Sequence, residues 1–212
     1  GKAYTATGTA LTLSAATAST DTMYCVFLGR ALQTVNPATN SINNAMVSSS
    51  AAIATSKLGA GAIAQVLSTT KTDTTSVTQA STYADISGMS VSITPSATSS
   101  KILCLVSCYP STQSGYNLMI RLLRDSTNLC IGDASSSRNQ TSGHIHPNSD
   151  YDIIPTTINF LDTPSSTSAL SYKLQWRQTD DTTAYLNRTY NDADNIYRPR
   201  LASTITVMEV LA

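Results

Sequence analysis

Two histidines separated by one residue are the most metal-like feature of this chain. They lie in the segment Gly143-His144-Ile145-His146-Pro147. In a strand, side chains two positions apart point to the same face, so both imidazoles would be available to one ion. On a threefold axis, three copies would bring three such pairs together. The surrounding segment is rich in Ser and Asn and has no Cys or Glu nearby. We therefore predict exposed histidines that contact a ligand, with no bound metal or cofactor.

Residues that could catalyse hydrolysis are present without the motifs that normally accompany them. Ser149 and Asp150 lie close to the histidines, but there is no Gly-x-Ser-x-Gly sequence. A pair of glycosidase carboxylates would have to come from acids in short loops, namely Asp180, Asp181, Asp192 or Asp194. The run Asp192-x-Asp194-Asn195 could contact Ca²⁺, but it lacks the glycine and glutamate of a calcium loop. We expect no enzymatic activity.

The segment from Arg188 to Leu201 has the composition of a recognition loop. Tyrosines and arginines alternate there with Asp and Asn. Tyr and Arg dominate recognition surfaces, and Asp and Asn side chains hydrogen-bond sugar hydroxyls. The alternative is an ordinary polar loop whose tyrosines pack inward or across a subunit boundary. The predicted recognition contacts are Tyr109, Tyr116, His144, His146, Tyr151, Tyr190, Asp192, Asp194, Tyr197 and Arg198.

The cysteines are predicted to be buried free thiols. Cys104 and Cys108 are four residues apart in a strand pattern and would lie about 13 Å apart. A disulfide needs Cα atoms closer than about 7 Å, so these two cannot bridge each other. Cys25 and Cys130 also have apolar neighbours. No Cys-x-x-Cys pair suggests a metal or redox site.

The composition favours a mainly β protein that binds neither nucleic acid nor membrane. Charged residues make up 12% of the 212 residues, about half the usual share, and the net charge is zero. Glu209 is the lone glutamate, and Asp, which favours turns and caps, supplies the other acids. No basic patch marks a nucleic-acid partner, and no apolar run could span a bilayer. Because the chain opens at Gly1 without an initiator Met, we expect it to be the C-terminal piece of a longer polypeptide.

Three regions follow one another along the chain. Residues 1–36 predict a small β module, with strands at Thr9–Leu13, Thr22–Leu28 and Arg30–Val35. Residues 67–212 show closely spaced strand patterns without helical ones, which predicts an antiparallel β-sandwich or jelly roll. Its long loops would be 110–115, 132–152, 179–183 and 188–201. The predicted core is Val91, Ile93, Leu103, Leu105, Leu118, Ile120, Leu122, Phe160, Leu174, Trp176, Ile205 and Val207.

Between these regions, residues 37–66 predict an extended stem. The large apolar residues there stand singly among Ser, Ala, Thr and Gly, and they fit neither a helical stripe nor strand alternation. In a single extended segment, burial of these apolar residues cannot offset ordering costs of roughly 1–2 kcal/mol per residue. Three such segments around a shared axis can bury their apolar residues, the predicted anchors, against one another. The alternative is a flexible linker. The predicted anchors are Ile42, Met46, Val47, Ile53, Leu58, Ile63 and Val66.

Several motifs, in order, resemble those of tail-fibre proteins of tailed bacteriophages. The opening Tyr4–Leu13 (YTATGTALTL) and Met23–Arg30 (MYCVFLGR) are similar to a small β module repeated in such fibres, and Ile53–Gly59 (IATSKLG) resembles their stem repeats. The C-terminal block looks like a fibre tip, with similar segments at 91–103, 121–126, 159–164 and 203–209. Gly29 stands where the family pattern has Asn, so no turn chemistry is carried across.

The resemblance implies a homotrimeric virion protein whose distal tip binds a bacterial surface receptor, often a glycan. On this reading the chain has a small β collar, a threefold-symmetric stem and a jelly-roll tip, and it attaches to other virion tail proteins through a preceding N-terminal part. Two alternatives stay open. One is a purely architectural virion fibre or adaptor without receptor binding, and the other is a polysaccharide depolymerase.

Overall fold

The computed structural model describes residues 4–7, 10–20, 22, 42, 46–48, 51, 53, 57–78, 82–180 and 182–212, in two compact units, Gly1–Ala51 and Ala52–Ala212. In the first unit, β1 (Tyr4–Thr7) and β2 (Ala10–Leu13) form an antiparallel hairpin in which Tyr4 pairs with Leu13. β2 lies where a strand was predicted. Apart from Thr22, the predicted strands Thr22–Leu28 and Arg30–Val35, with Cys25 in the first of them, fall outside the described residues.

The second unit contains two antiparallel sheets that face each other. The first sheet has the order β3 (Ile63–Lys71), β14 (Ser203–Val210), β6 (Lys101–Cys108) and β11 (Thr156–Asp162). The second has the order β5 (Ala84–Ile93), β12 (Leu170–Gln178), β8 (Leu118–Arg124) and β10 (Gly143–Ile145), and β9 (Thr127–Leu129) forms a hairpin with β8. Without β9, the eight strands of the two sheets have the order of a jelly roll, which confirms the predicted fold class of this region.

A small third sheet lies beside the sandwich. It consists of β4 (Thr75–Val77), β13 (Ala184–Leu186) and β7 (Pro110–Ser111) in that order. Apart from 3₁₀ turns at Met46 and Lys57, the regular elements of the described residues are strands. Among those residues, no helix is long and apolar enough to cross a membrane.

The core lies between the two large sheets and follows from strict alternation. Nine predicted core residues are buried, and these are Val91, Ile93, Leu118, Ile120, Leu122, Leu174, Trp176, Ile205 and Val207. Phe160 is half-buried against them. The prediction was wrong for β6, where Leu103 and Leu105 point outward. Ile102, Cys104, Val106 and Cys108 form its buried face instead. Because β6 is apolar on both faces, its pattern alone could not decide which face lies inward.

The stem boundary predicted at residue 66 moves back to residue 63. Ile63 and Val66 lie in β3, where they pair with Val210 and Met208 of β14. A register shift at this point places both on the outer side of the sheet, although they are three residues apart. The last two predicted anchors therefore belong to an irregular edge strand. The other predicted anchors, Ile42, Met46, Val47, Ile53 and Leu58, precede the sheets and are exposed in the single chain.

The chain enters the sandwich at the end of β14, which we call the Ile63 end. Gly61 donates its N–H to the Leu211 carbonyl at 2.7 Å, and Leu211 donates to the Ala62 carbonyl at 2.9 Å. Gly61 has a φ of 86°, a conformation that favours glycine. These bonds fix the point where residues 53–62 lead into the first sheet.

Glu209 fastens the loop between β5 and β6 at this Ile63 end. Its buried carboxylate accepts hydrogen bonds from the backbone and hydroxyl of Ser96, both at 2.6 Å, and from Gln65 Nε2 at 2.7 Å. Burial raises the pKa of the Glu209 carboxyl, but the surrounding hydrogen-bond donors, Ser96 and Gln65 among them, outweigh burial and lower this pKa to about 2. The lone glutamate of the chain is thus a structural anion.

Candidate functional site

The predicted loops meet at the end of the sandwich opposite Ile63. β6 runs from Lys101, which pairs with Val210 at the Ile63 end, to Cys108 at the far end. Residues 109–117, 146–154 and 187–201 gather there, and we call them the loop end. Backbone hydrogen bonds of 2.9–3.1 Å join them, from Ile154 to Pro110, from Gly115 to Pro147 and from Asn191 to Asp150. Residues distant in sequence therefore form one surface.

Asn187 anchors the loop end to the sandwich. It is fully buried and has a φ of 65°, a left-handed conformation that asparagine tolerates better than most residues. Its Nδ2 donates to the carbonyls of Lys71 and Asp73 at 2.8 and 3.0 Å, and its Oδ1 accepts from the Ser203 hydroxyl at 2.6 Å. Sequence analysis missed this role because the partners lie more than a hundred residues away or across another strand.

Asp192 closes the base of the last loop. Its Oδ2 lies 2.6 Å from Arg200 Nη2 and 3.3 Å from Arg188 Nη1. The Arg188 guanidinium also stacks on Tyr185 at 3.9 Å and donates to the carbonyls of Thr189 and Tyr190. Asp192, predicted as a receptor contact, is thus already held by two arginines, while Asp194 is exposed.

The loop between these ion pairs presents two large exposed side chains. Ile196 is 89% exposed and Tyr197 is 72% exposed. Asn195 shapes the turn, since its side chain accepts from the Tyr197 N–H and its carbonyl accepts from the Arg198 N–H, both at 2.9 Å. Sequence analysis named Tyr197 but missed Ile196, although an isoleucine between Asn and Tyr in a polar loop was a usable indication.

Arg198 lies against Tyr151 from a neighbouring loop. The guanidinium carbon is 3.5 Å from the centroid of the Tyr151 ring, and Tyr151 is itself exposed. This cation–π pair joins two predicted contacts that are far apart in sequence. Together with Tyr197, it offers planar surfaces beside hydrogen-bonding groups, an arrangement that suits a ring-shaped polar ligand.

The other predicted tyrosines are half-buried. Tyr190 is half-buried, with its ring centroid 5.8 Å from that of Tyr185 and its hydroxyl 3.5 Å from Gln113 Oε1. Tyr109 and Tyr116 are also half-buried. For Tyr190, the structure matches the alternative in which the loop tyrosines pack inward.

The two histidines lie on one side of β10 and its extension. His144 and His146 are exposed, and Ile145 between them is buried. One His144 ring nitrogen, Nε2, lies 2.8 Å from Asn117 Oδ1. Within the described ranges, no three His, Cys, Asp or Glu side chains come together as a metal site would require.

Ser149 and Asp150 have turn-forming roles. The Ser149 hydroxyl accepts from the Tyr151 N–H at 3.3 Å, and Asp150 Oδ1 accepts from the Ser114 N–H at 2.8 Å. Both side chains therefore organise the loops around them.

β10 divides the long loop predicted at 132–152 into two parts. The second part joins the loop end, whereas the first reaches the outer side of the second sheet. There Arg121 Nε donates to the Gln140 carbonyl at 2.9 Å, and Arg177 donates to Asn139 at 3.0 Å. A three-residue strand that contains Gly and His was too short to be predicted from its pattern.

No protein-family model and no curated protein matches the chain. Among solved structures, three examples show the distant likeness that the chain has to known folds. The structure of the infectious bursal disease virus Gx strain has a TM-score of 0.37 at 15% identity, and the likeness covers 70% of this chain and 37% of that one. The VP2 subviral particle of the same virus has a TM-score of 0.34 at 13% identity, and the likeness covers 69% of this chain and 41% of that one. The T=1 particles derived from the virus have a TM-score of 0.33 at 16% identity, and the likeness covers 70% of this chain and 36% of that one. This chain spans less than half the length of each, and the likeness is too distant to bear on function.

Proposed function

We propose that this chain is the distal part of a homotrimeric bacteriophage tail fibre whose loop end binds a glycan receptor on the bacterial surface. The observation that carries the proposal is the polarity of the second unit. The chain enters at the Ile63 end, and the exposed side chains of Tyr151, Ile196 and Tyr197 lie at the opposite end. A fibre tip needs this arrangement, with its attachment at one end and its contacts at the other.

The exposed groups of the loop end suit a carbohydrate. Tyr197 and the Tyr151–Arg198 pair supply flat surfaces for a sugar ring, and Asp194 with the neighbouring amides supplies hydrogen-bonding groups. His144 and His146 flank the same end and extend the surface. Each site would bind weakly, and three sites on one fibre would raise the overall affinity by multivalency.

The chain's charge supports adhesion without a nucleic-acid or membrane partner. With a net charge of zero, long-range attraction contributes little, so binding should change little with salt. In the proposal, a preceding N-terminal part joins the fibre to other virion tail proteins.

The test is binding of the full chain to a panel of bacterial cells and to purified lipopolysaccharide and capsular polysaccharide. A variant with Ile196→Ala and Tyr197→Ala should lose at least about tenfold in apparent affinity, because central aromatic contacts carry most of the energy of such sites. The matched control is Thr98→Ala, in the exposed loop at the Ile63 end, which should bind like the unmodified protein.

Three results would contradict the proposal in different ways. No adhesion to any cell or polysaccharide at micromolar concentration would favour an architectural fibre. Release of reducing ends from the polysaccharide would favour a depolymerase. Equal losses in both variants would place the contact elsewhere than the loop end.

A further inference from the structure

The outer faces of the two large sheets differ sharply in polarity. On the first sheet, outward positions are uncharged except for Lys101 at the margin. They are Ile63, Val66, Ser68, Thr70, Lys101, Leu103, Leu105, Ser107, Thr157, Asn159, Leu161, Thr204, Thr206, Met208 and Val210. We call this surface the first-sheet face. Outward-facing residues elsewhere in the protein are usually polar.

A continuous apolar row crosses the first-sheet face. Val66 pairs with Met208, Met208 with Leu103, and Leu103 with Leu161, so the four side chains lie side by side across all four strands. Val66 is 54% exposed and Leu161 is 46% exposed. Ile63, paired with Val210, extends the row toward the Ile63 end, while Thr and Ser occupy the half near the loop end.

The outer face of the second sheet is charged and already partly covered. Lys173 and Asp85 form an ion pair of 2.9 Å across strands, and Gln175 donates to the same carboxylate at 2.7 Å. The Arg121 guanidinium lies 3.8 Å from the centroid of the Tyr83 ring, and Arg121 also contacts the segment before β10. This sheet is built to face water, which makes the apolar row on the other sheet a specific feature.

The size of the first-sheet face indicates what could cover it. Strands of eight residues at about 3.3 Å per residue, with four strands about 4.8 Å apart, give roughly 26 by 19 Å, or about 500 Å². The apolar row takes up only part of this area, and exposed apolar patches of a few hundred Å² are often functional. A stable interface buries about 800 Å² on each partner, so this face alone is too small and needs a contiguous contribution.

We propose that the first-sheet face is buried against other copies of this chain, and this inference rests on the trimeric fibre proposed above. The contiguous contribution comes from residues just before β3. Ile53 and Leu58 are exposed, belong to the same unit, and lead directly into Ile63 and Val66. If three such segments share an axis, each delivers its own β3 to that axis. The only charge on this face is Lys101 at its margin, so three copies of the face can converge on that axis with little like-charge repulsion.

The mass of the full chain in solution tests this assignment. The unmodified protein should sediment at three times the 22.4 kDa of one chain. Val66→Glu with Leu161→Glu places carboxylates at positions that are exposed in the single chain, so the variant can fold, but they would be buried in the assembly. We expect dissociation to one-third of the mass. The control, Ser90→Glu with Ser92→Glu on the outer side of β5, should keep the full mass.

The oxidation rates of two methionines test the face assignment independently, in the protein without substitutions. Met208 lies on the first-sheet face and Met119 on the outer side of the second sheet, and both are partly exposed in the single chain. Peroxide should oxidise Met119 readily, and Met208 at least about tenfold more slowly in the assembled protein. Dissociation of the Glu variant should remove this difference.

The outcomes separate this inference from the function it rests on. A trimer that survives both face substitutions, with Met208 oxidised as fast as Met119, overturns the face assignment. Ile53→Asp with Leu58→Asp would then show whether the preceding segment alone holds the trimer. Protection of Met208 in a protein of 22.4 kDa would mean that the chain's own first unit covers the face, which also overturns the proposal. Binding to polysaccharide is scored separately.

Discussion

The two ends of the jelly roll are fastened by different chemistry. At the Ile63 end, the buried carboxylate of Glu209 holds the β5–β6 loop through charge-assisted hydrogen bonds. At the loop end, the buried amide of Asn187 holds two chain segments through neutral hydrogen bonds and a left-handed backbone. The stability of the Ile63 end therefore depends on the protonation of Glu209. The stability of the loop end depends on the backbone conformation and the side-chain shape of Asn187.

Asn187→Ala should have the largest effect on stability. It leaves the Lys71 and Asp73 carbonyls and the Ser203 hydroxyl without this partner, at about 1–3 kcal/mol, and it places alanine in a left-handed conformation at about 1 kcal/mol more. We expect a loss of about 3 kcal/mol in denaturant unfolding. Asn187→Gly is the control, since it removes the same hydrogen bonds but tolerates the backbone. If both variants unfold like the unmodified protein, Asn187 is not the anchor.

Glu209→Gln should have a smaller effect that depends on pH. The folded pKa of Glu209, about 2, lies below its ordinary value of 4.5, so the folded state favours the ionised form. The stabilisation is complete above pH 4.5 and is lost as the pH falls toward 2. The variant should lose about 1–2 kcal/mol at pH 7, as expected for a charged hydrogen-bond acceptor, and its stability should change less between these pH values. An unchanged acid profile would contradict this.

The Tyr151–Arg198 pair should contribute least. A double-mutant cycle with Tyr151→Ala and Arg198→Ala is expected to give a coupling energy of about 0.5–1 kcal/mol, typical of an exposed cation–π pair. Unfolding midpoints at constant denaturant slope measure this value. Zero coupling would mean that the two side chains meet only incidentally.

Thiol labelling distinguishes the two ends without measuring stability. Burial raises the pKa of both Cys104 and Cys108 to about 12, so at pH 8 they should react only when the structure opens. Cys108 lies at the loop end of β6. Cys130 is exposed, so the prediction of a buried thiol was wrong for it, and it serves as the internal reference.

Asn187→Ala should accelerate labelling of Cys108 more than that of Cys104, whereas Glu209→Gln should do the reverse. Peptide mass mapping assigns each site. Equal acceleration of both thiols by either variant would show that the two ends open together.

Sequence patterns predicted the strands of the jelly roll because one-sided burial leaves a period of two. β12 and β14 follow this rule along their whole length, with Trp176 and Ile205 inside as predicted. β6 broke the rule because both of its faces are apolar, and the first-sheet face explains why Leu103 and Leu105 could be mistaken for core. The edge strand β3 was not predicted, because of the composition of the segment around it and because its register shifts near Ile63.

The candidate site was predictable as loops but not as contacts. Tyr and Arg content located residues 188–201, and Tyr197 proved exposed as a binding residue should be. The stacking of Arg198 on Tyr151 and the double ion pairing of Asp192 depend on how loops meet in space. A single sequence does not show how loops meet in space. It therefore predicts Asp192 as a contact, although Asp192 closes the loop.

Because the ion pairs at Asp192 hold the two ends of the loop together, residues 193–199 between them can be replaced as a unit. The Arg200–Asp192 contact of 2.6 Å clamps the two sides of this excursion, and its tip takes no part in the core. Doubling the length of a flexible loop costs only about 0.6 kcal/mol in closure entropy. New sequences grafted between the clamp residues should therefore leave the scaffold intact, which would allow specificity to diversify rapidly on an unchanging framework.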